Sequence, residues 1–224
     1  MHRTIDKTEL RKTWKGILDE QTIMSIVWLM NKKYIKELIS VIKSGKESTI
    51  LLGSDIEGNA IAIKIYAINA STFRQRLIYI KGDPRFSGVR QNIKSIVYAW
   101  CKKEFANTKK AYEAGILCPR PIMFYNNVYV MGFIGDVIND SFFPAPRLAD
   151  IKIENPRQIF ESILLDVRKA YKAGLVHGDL SEFNILYWHK KPYIIDWSQS
   201  VLLSHPNSQE LLRRDIKNIC LYFK

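Results

Sequence analysis

Apolar positions recur near helical spacing through the start of the chain, at Ile17, Ile23, Ile26, Val27, Met30, Tyr34 and Leu38. That spacing predicts a helical segment over residues 1–40. A polar turn, Lys43-Ser44-Gly45-Lys46-Glu47-Ser48, comes next. The runs Thr49 to Leu52 and Ala60 to Tyr66 then read as a β-hairpin or meander, broken by Gly53-Ser54-Asp55 and Glu57-Gly58-Asn59. Residues 70–92 are irregular and basic, with Arg74, Arg76, Lys81, Arg85 and Arg90 beside Gly82, Pro84 and Gly88, which predicts a mobile loop. A helix is expected from Ile93 to Ala114, closed by Gly115. Pro119 and Pro121 bracket an extended segment, Val128 to Met131 reads as a strand, and Gly132 to Gly135 as a connector.

The second half reads differently. Asn155-Pro156 offers an N-cap residue followed by proline at the first helical position. Ile159, Ile163, Val167 and Ala170 mark one helical face until Gly174. Two short strands are expected at Ile185 to Tyr187 and Tyr193 to Ile195. A last helix begins near Pro206 and turns Leu211, Leu212, Ile216 and Ile219 inward. A strand-containing first half before a mainly helical second half predicts an α+β chain of two lobes. The divisions are residues 1–40 as an N-terminal helical extension, 41–131 as a first lobe and 132–224 as a second.

Composition narrows the partners. The chain has 224 residues, 47% of them hydrophobic and 25% charged, which suits a packed core and argues against extensive disorder. Its net charge of +12 favours polyanionic company such as ATP, RNA or a ribonucleoprotein surface. The alternative is a basic balance that serves only solubility. Cys101, Cys118 and Cys220 lie far apart, without metal-ligand spacing, which suits a reducing compartment. The apolar stretch Ile23 to Met30 is too short to span a bilayer. A cytoplasmic protein without membrane contact is expected, of open oligomeric state.

The densest chemistry lies in His177-Gly178-Asp179-Leu180-Ser181-Glu182-Phe183-Asn184, followed by Ile194-Ile195-Asp196. Phosphoryl transfer needs positioning and electrostatics more than covalent chemistry. Asp179 is placed to orient or deprotonate an attacking hydroxyl or water. Asn184 and Asp196 supply a neutral oxygen and a carboxylate for Mg²⁺, which prefers few protein ligands plus phosphates and water. A single aspartate in a turn is usually an Asx-turn or a cap, and a single histidine usually packs. Here the order of three residues between a helix end and a pair of short strands is what a kinase catalytic and metal loop requires. His177 reads as structural support for the loop.

Ile61-Ala62-Ile63-Lys64 is the second element. Any amphipathic strand can end in lysine; coupled to the downstream trio, Lys64 becomes a phosphate-neutralising lysine. Its partner carboxylate is expected to be Glu104, one turn after Trp100 on the same helix face, with Glu113 as runner-up. The third element is the turn containing Lys46, whose backbone N–H groups can cradle phosphates. A Walker A reading fails, because Ser40 stands where that motif needs glycine and Glu47 where it needs Ser or Thr.

These residues together resemble the RIO family of atypical protein kinases, and its Rio-one branch in particular. The resemblance covers roughly Ser44 to Phe223. It rests on Ser-Gly-Lys-Glu at 44–47, Ala-Ile-Lys at 62–64, Lys-Glu-Phe at 103–105 and Ala-Gly-Ile at 114–116. It continues through Cys-Pro-Arg-Pro at 118–121, Phe-Ile-Gly at 133–135, Pro-Ala-Pro at 144–146 and the run at 175–187. Ile-Ile-Asp-Trp-Ser-Gln-Ser-Val at 194–201 and His-Pro at 205–206 complete it. It implies a trimmed two-lobed protein-kinase-like fold, with a small β-rich first lobe, a mainly helical second lobe and no usual activation loop. ATP would lie between the lobes, with Lys46 among its contacts, Lys64 on phosphate, and Met131 to Ile134 as hinge. Asp179 would be catalytic, and Asn184 and Asp196 would hold Mg²⁺, which Mn²⁺ can replace. In that family the metal-site aspartate is also regarded as a phosphate acceptor, so an ATPase cycle at Asp196 is implied. The family's role in late maturation of the small ribosomal subunit would give the chain a precursor of rRNA and protein as partner.

Two other readings compete. His-Gly-Asp and Asp-Trp also occur in small-molecule kinases similar to aminoglycoside or choline phosphotransferases, but few residues follow Asp196 for a helical substrate platform. The chain can also be a non-catalytic assembly factor that binds nucleotide and turns over little. The set Lys64, Asp179, Asn184 and Asp196 argues against a dead site.

Overall fold

The computed structural model describes Trp14, residues 18–69, Leu77, and residues 79–80, 83–90, 92–139 and 141–224. Helix α1 (Glu20–Asn31) begins at Asp19, whose carboxylate accepts the Thr22 N–H at 2.9 Å and so satisfies one orphan donor of the first turn. The helix stops well before residue 40. Lys32 closes it and Lys33 takes a φ of 65°. Leu38, expected on the helical face, instead lies on strand β1 (Glu37–Ser44). The stretch is rich in β-branched side chains (Ile39, Val41, Ile42). It also pairs antiparallel with β2 (Ser48–Ser54), from Glu37 opposite Ser54 to Ser44 opposite Thr49. Ladder pairing outweighs an approximate helical period here. Ile17 lies outside the described residues.

β2 pairs in turn with β3 (Ala60–Tyr66), as the hairpin reading predicts. β4 (Pro121–Tyr125) and β5 (Val128–Gly132) complete an antiparallel five-stranded sheet in the order β1-β2-β3-β5-β4. The pleat sends alternate side chains to opposite faces. Ile61, Ile63 and Ile65 of β3, with Val128 and Val130 of β5, pack with Ile23, Ile26, Val27 and Met30 of α1. Tyr66, Tyr129 and Met131 take the other face, against Ile96, Val97, Trp100 and Cys101 of helix α2 (Ile93–Glu113). Lys64 shares the parity of Tyr66, and so looks toward α2. This helix is capped by Asn92, which accepts the Ser95 N–H at 2.9 Å.

Of the basic stretch 70–92, Arg74, Arg76, Lys81 and Gly82 lie outside the described residues, and most of the mobile-loop reading falls with them. The described part holds helical residues at Leu77, Tyr79 and Ile80 and a 3-10 turn, Pro84–Phe86, with Phe86 and Ile80 buried.

The second lobe starts with a hairpin that the sequence does not announce, β6 (Gly135–Ile138) with β7 (Ser141–Pro144), directly after the predicted connector. Helix α3 (Pro156–Lys172) has proline in its first turn as expected, but the Asn155 side chain makes no capping hydrogen bond. Two small antiparallel pairs follow: β8 (Leu175–Val176) with β11 (Val201–Leu202), and β9 (Ile185–Trp188) with β10 (Lys191–Ile194). Helix α4 (Ser208–Tyr222) closes the lobe. Ile159, Ile163, Leu175, Leu180, Ile185, Ile194, Trp197 and Ile219 form its core. On α4 the expected inward set is corrected at one position: Ile216 is exposed, and Asp215 is buried on the stripe between Leu211 and Ile219.

All three cysteines are free, and no helix among the described residues is long and apolar enough to cross a membrane.

Candidate active site

The sheet's α2 face and the loops of the second lobe meet at Lys64. Its Nζ lies 2.9 Å from Glu104 Oε1 on α2 and 2.9 Å from Asp196 Oδ1 after β10. Glu104 is therefore the carboxylate that meets the lysine; Glu113 pairs instead with Lys109 on an exposed face. The Tyr66 hydroxyl donates to Glu104 Oε2. Burial disfavours the charged lysine, but the carboxylates of Asp196 and Glu104 outweigh it and hold the ammonium well above the usual lysine range. Burial would raise Asp196; the Lys64 ammonium and a 2.6 Å hydrogen bond from Ser198 Oγ bring it down to about 2. Asp196 also adopts a φ of 60°, a left-handed backbone that Asp tolerates better than most residues.

Asp179 stands on the loop after β8. Its Oδ2 accepts from Asn184 Nδ2 at 3.2 Å and from Gln199 Nε2 at 3.1 Å, while Asn184 Nδ2 also donates to its carbonyl at 2.8 Å. Burial, followed by the Asp196 charge, raises the Asp179 carboxyl above the ordinary range against the pull of His177, Arg214 and Asn184. Gln199 lies three residues beyond Asp196, so it connects the two carboxylate loops.

The loop is held from beneath. Asp215 of α4 accepts the Gly178 N–H at 2.7 Å and the Leu180 N–H at 2.9 Å. Arg214 donates to the Gly178 carbonyl. Gly178 has a φ of 80°, and a Cβ there would stand 3.0 Å from the Gln199 carbonyl. His177 plays the supporting part expected of it: Nδ1 accepts the Asp179 N–H at 3.3 Å and Nε2 meets the Ile195 carbonyl at 3.0 Å. The Nε2–H tautomer satisfies both contacts, and the ring rests edge-on against Trp197, 4.8 Å between centroids.

Lys64, Glu104, Asp179, Asn184 and Asp196 are thus brought together. No described hydrogen bond or ion pair ties Lys46, Met131 or Ile134 to that group. Lys46 occupies the β1–β2 turn, where its carbonyl accepts from Asn69. The Gly45 N–H closes this turn on the Ser48 carbonyl at 3.0 Å, so one donor of the expected phosphate cradle is engaged locally. Met131 and Ile134 are buried at and just past the end of β5, and the Ile134 carbonyl accepts the Ala145 N–H.

Spacing did not single out Asp215, Gln199, Lys103 or Asn107. Asp215 had a readable signal, a carboxylate at i+4 from Leu211 and i−4 from Ile219 on an apolar stripe.

Asp196 and Asn184 are hard oxygen donors of the kind Mg²⁺ takes. Among the described residues no three His, Cys, Asp or Glu side chains cluster tightly enough to hold an ion alone. That combination fits an ion completed by phosphate oxygens and water.

A five-stranded sheet carrying a lysine–glutamate pair, set over a lobe whose loops present Asp179, Asn184 and Asp196, defines a protein-kinase-like phosphotransferase. A family model described as the RIO domain matches residues 49–224. The RIO-type serine/threonine-protein kinase Rio1 of Haloferax volcanii is 38% identical over 213 residues, 95% of this chain and 72% of its own length. The human serine/threonine-protein kinase RIO1 is 36% identical over 228 residues, spanning 100% of this chain but 39% of its own. Among solved structures, the Rio2 kinase–ADP/Mg²⁺–phosphoaspartate complex from Chaetomium thermophilum has the same fold. Its TM-score is 0.68 at 22% identity, over 96% of this chain and 67% of that one. The chain belongs to the RIO family of atypical serine/threonine protein kinases. These relatives set aside the small-molecule phosphotransferase reading.

Proposed function

We propose that this kinase transfers the γ-phosphoryl group of ATP through Asp179, Asn184, Asp196 and Lys64. The observation that carries the reading is the convergence on Lys64 of Glu104 and Asp196, with Gln199 linking the Asp196 loop to Asp179. Lys64 neutralises phosphate oxygens while Glu104 keeps its side chain extended. Asn184 and Asp196 would hold Mg²⁺, or Mn²⁺ in its place, which would supply charge screening on the phosphates. Asp179 orients the acceptor hydroxyl and receives its proton. The acceptor oxygen bonds to the γ-phosphorus in line as the bond to the bridging oxygen breaks, and ADP leaves. The adenine sits along Met131 to Ile134, and Lys46 borders the phosphates.

A second reading concerns the acceptor. The Rio2 structure is described as a phosphoaspartate complex. In this chain the aspartate facing Lys64 is Asp196, so an ATPase cycle through Asp196 is a natural companion to transfer onto a protein hydroxyl. The net charge of +12 supports a partner rich in phosphate, and we assign this partner as a small ribosomal subunit precursor of rRNA and protein, met in the cytoplasm.

The test is phosphate release and transfer from Mg-ATP by the wild type and by Asp179→Ala, with and without the precursor. Turnover that requires Asp179 and rises with the precursor is expected. Release that the substitution leaves unchanged would move the assignment to a nucleotide-binding assembly factor.

A further inference from the structure

Of the four residues after Asp196, Trp197, Ser198 and Ser200 are fastened to α2 through their carbonyls. Lys103 Nζ donates to the carbonyl of Ser198 at 2.9 Å and to that of Ser200. Asn107 Nδ2 donates to the carbonyls of Trp197 at 3.0 Å and Ser200 at 2.9 Å. Both side chains are 0% exposed and lie one turn apart on the same face of the helix. The opposite end of the Asn107 amide is fixed as well: its Oδ1 accepts from Arg85 Nη2 at 2.9 Å, and Arg85 is paired with Asp83 at 2.6 Å. The orientation of the amide is therefore determined, with its two donors toward the loop.

Glu104, the residue next to Lys103, engages Lys64, which engages Asp196. α2 therefore reaches Asp196 by two routes, one to its carboxylate and one to the backbone that follows it. A buried amine among the rings of Trp100 and Tyr79, at 5.2 and 5.9 Å, is costly unless its protons are satisfied. Here two carbonyls of a single loop satisfy them. We infer that Lys103 and Asn107 are positioning residues that lock the segment Trp197–Ser200 to α2 and thereby set where Asp196 presents its oxygens. The inference rests on the reading of Asp196 as the metal-holding carboxylate. It makes the placement of α2, and of the 83–85 segment behind Asn107, a determinant of metal affinity.

The test compares hydrogen exchange across residues 195–203, and the Mg²⁺ concentration needed for half-maximal tightening of ADP, in the wild type, Lys103→Met and Asn107→Leu. Expected in both variants is faster exchange confined to this segment, with β9, β10 and α3 unchanged. The Mg²⁺ requirement should rise about tenfold or more, the usual effect of losing a residue that supports a metal ligand. Metal-free ADP affinity should stay within a factor of about two, which separates positioning from general loosening. Unchanged exchange, or faster exchange with an unaltered Mg²⁺ requirement, overturns the inference. Asn107→Leu keeps the question decidable where Lys103→Met fails to fold. A wild type whose ADP binding ignores Mg²⁺ would instead overturn the proposed function, and the metal role assigned to the lock with it.

Discussion

Asp215 brackets Asp179: its two carboxylate oxygens take the backbone N–H groups of Gly178 and Leu180, the residues on either side. A carboxylate from the last helix thus sets the height of the loop that carries the proposed catalytic aspartate. Asp215→Ala leaves two buried N–H groups without acceptors, at about 1–3 kcal/mol each. Unfolding in denaturant should show a loss on the order of 3 kcal/mol. Transfer from Mg-ATP should fall by roughly 100-fold in kcat, the scale expected for an ångström of misplacement. Asp215→Asn should lie between, because an amide can accept one of the two bonds.

Lys64 neutralises two carboxylates at once. Replacing it with Met removes the countercharge of buried Glu104, and the cost of such an orphaned charge is about 3–5 kcal/mol. Adding Glu104→Met should recover most of that stability without restoring transfer. Chemical denaturation of the single and double variants separates the two effects.

Lys103 gives a pH signature. Burial, aided by Arg85 and opposed by Asp83 and Glu104, brings its amine down to about 7. Between about pH 7 and 10 the unfolded chain therefore holds a proton that the folded chain has released. Stability gains from this group as pH rises through that window, by at most ~1.4 kcal/mol per pH unit, and levels off below it. The slope of unfolding free energy against pH should be smaller in Lys103→Met than in the wild type over this range.

As the proposed base, Asp179 would act in its ionised form, so kcat should fall as pH drops through its raised pKa. Gln199 donates to the carboxylate at 3.1 Å and stabilises the charged state. Gln199→Ala should therefore move the acid limb of the kcat–pH profile to higher pH, while Asp179→Asn abolishes transfer at every pH. An unmoved limb would disconnect Gln199 from the chemistry.

The candidate site was legible where its residues lie close in sequence or keep a strand or helix period. Asp179, Asn184 and Asp196 fall within one stretch of chain, Lys64 follows from a strand-ending lysine coupled to that trio, and Glu104 from the face of α2 that carries Trp100. The supports were not legible in the same way. Lys103 and Asn107 meet their carbonyl partners 90 or more residues away, and polar side chains on a helix are ordinarily assigned to solvent. Asp215 was passed over for the same reason, with Ile216 taken as the inward residue beside it. β1 was misread because its apolar residues fit a helical spacing about as well as a strand, and only pairing with β2 decides between them. The β6–β7 hairpin has strands of four residues each, too short to show a period.

The alternation along β3 ties two kinds of selection together. Ile61, Ile63 and Ile65 look like filler for the space under α1, yet their odd-numbered parity is what assigns Lys64 to the opposite side. A one-residue slip in the register of β3 would leave every composition statistic of the strand unchanged. It would also deliver the ammonium into an apolar layer and an isoleucine to Glu104. Variation in this strand is then tolerated in steps of two, and a change that looks merely structural reads out as lost phosphate chemistry.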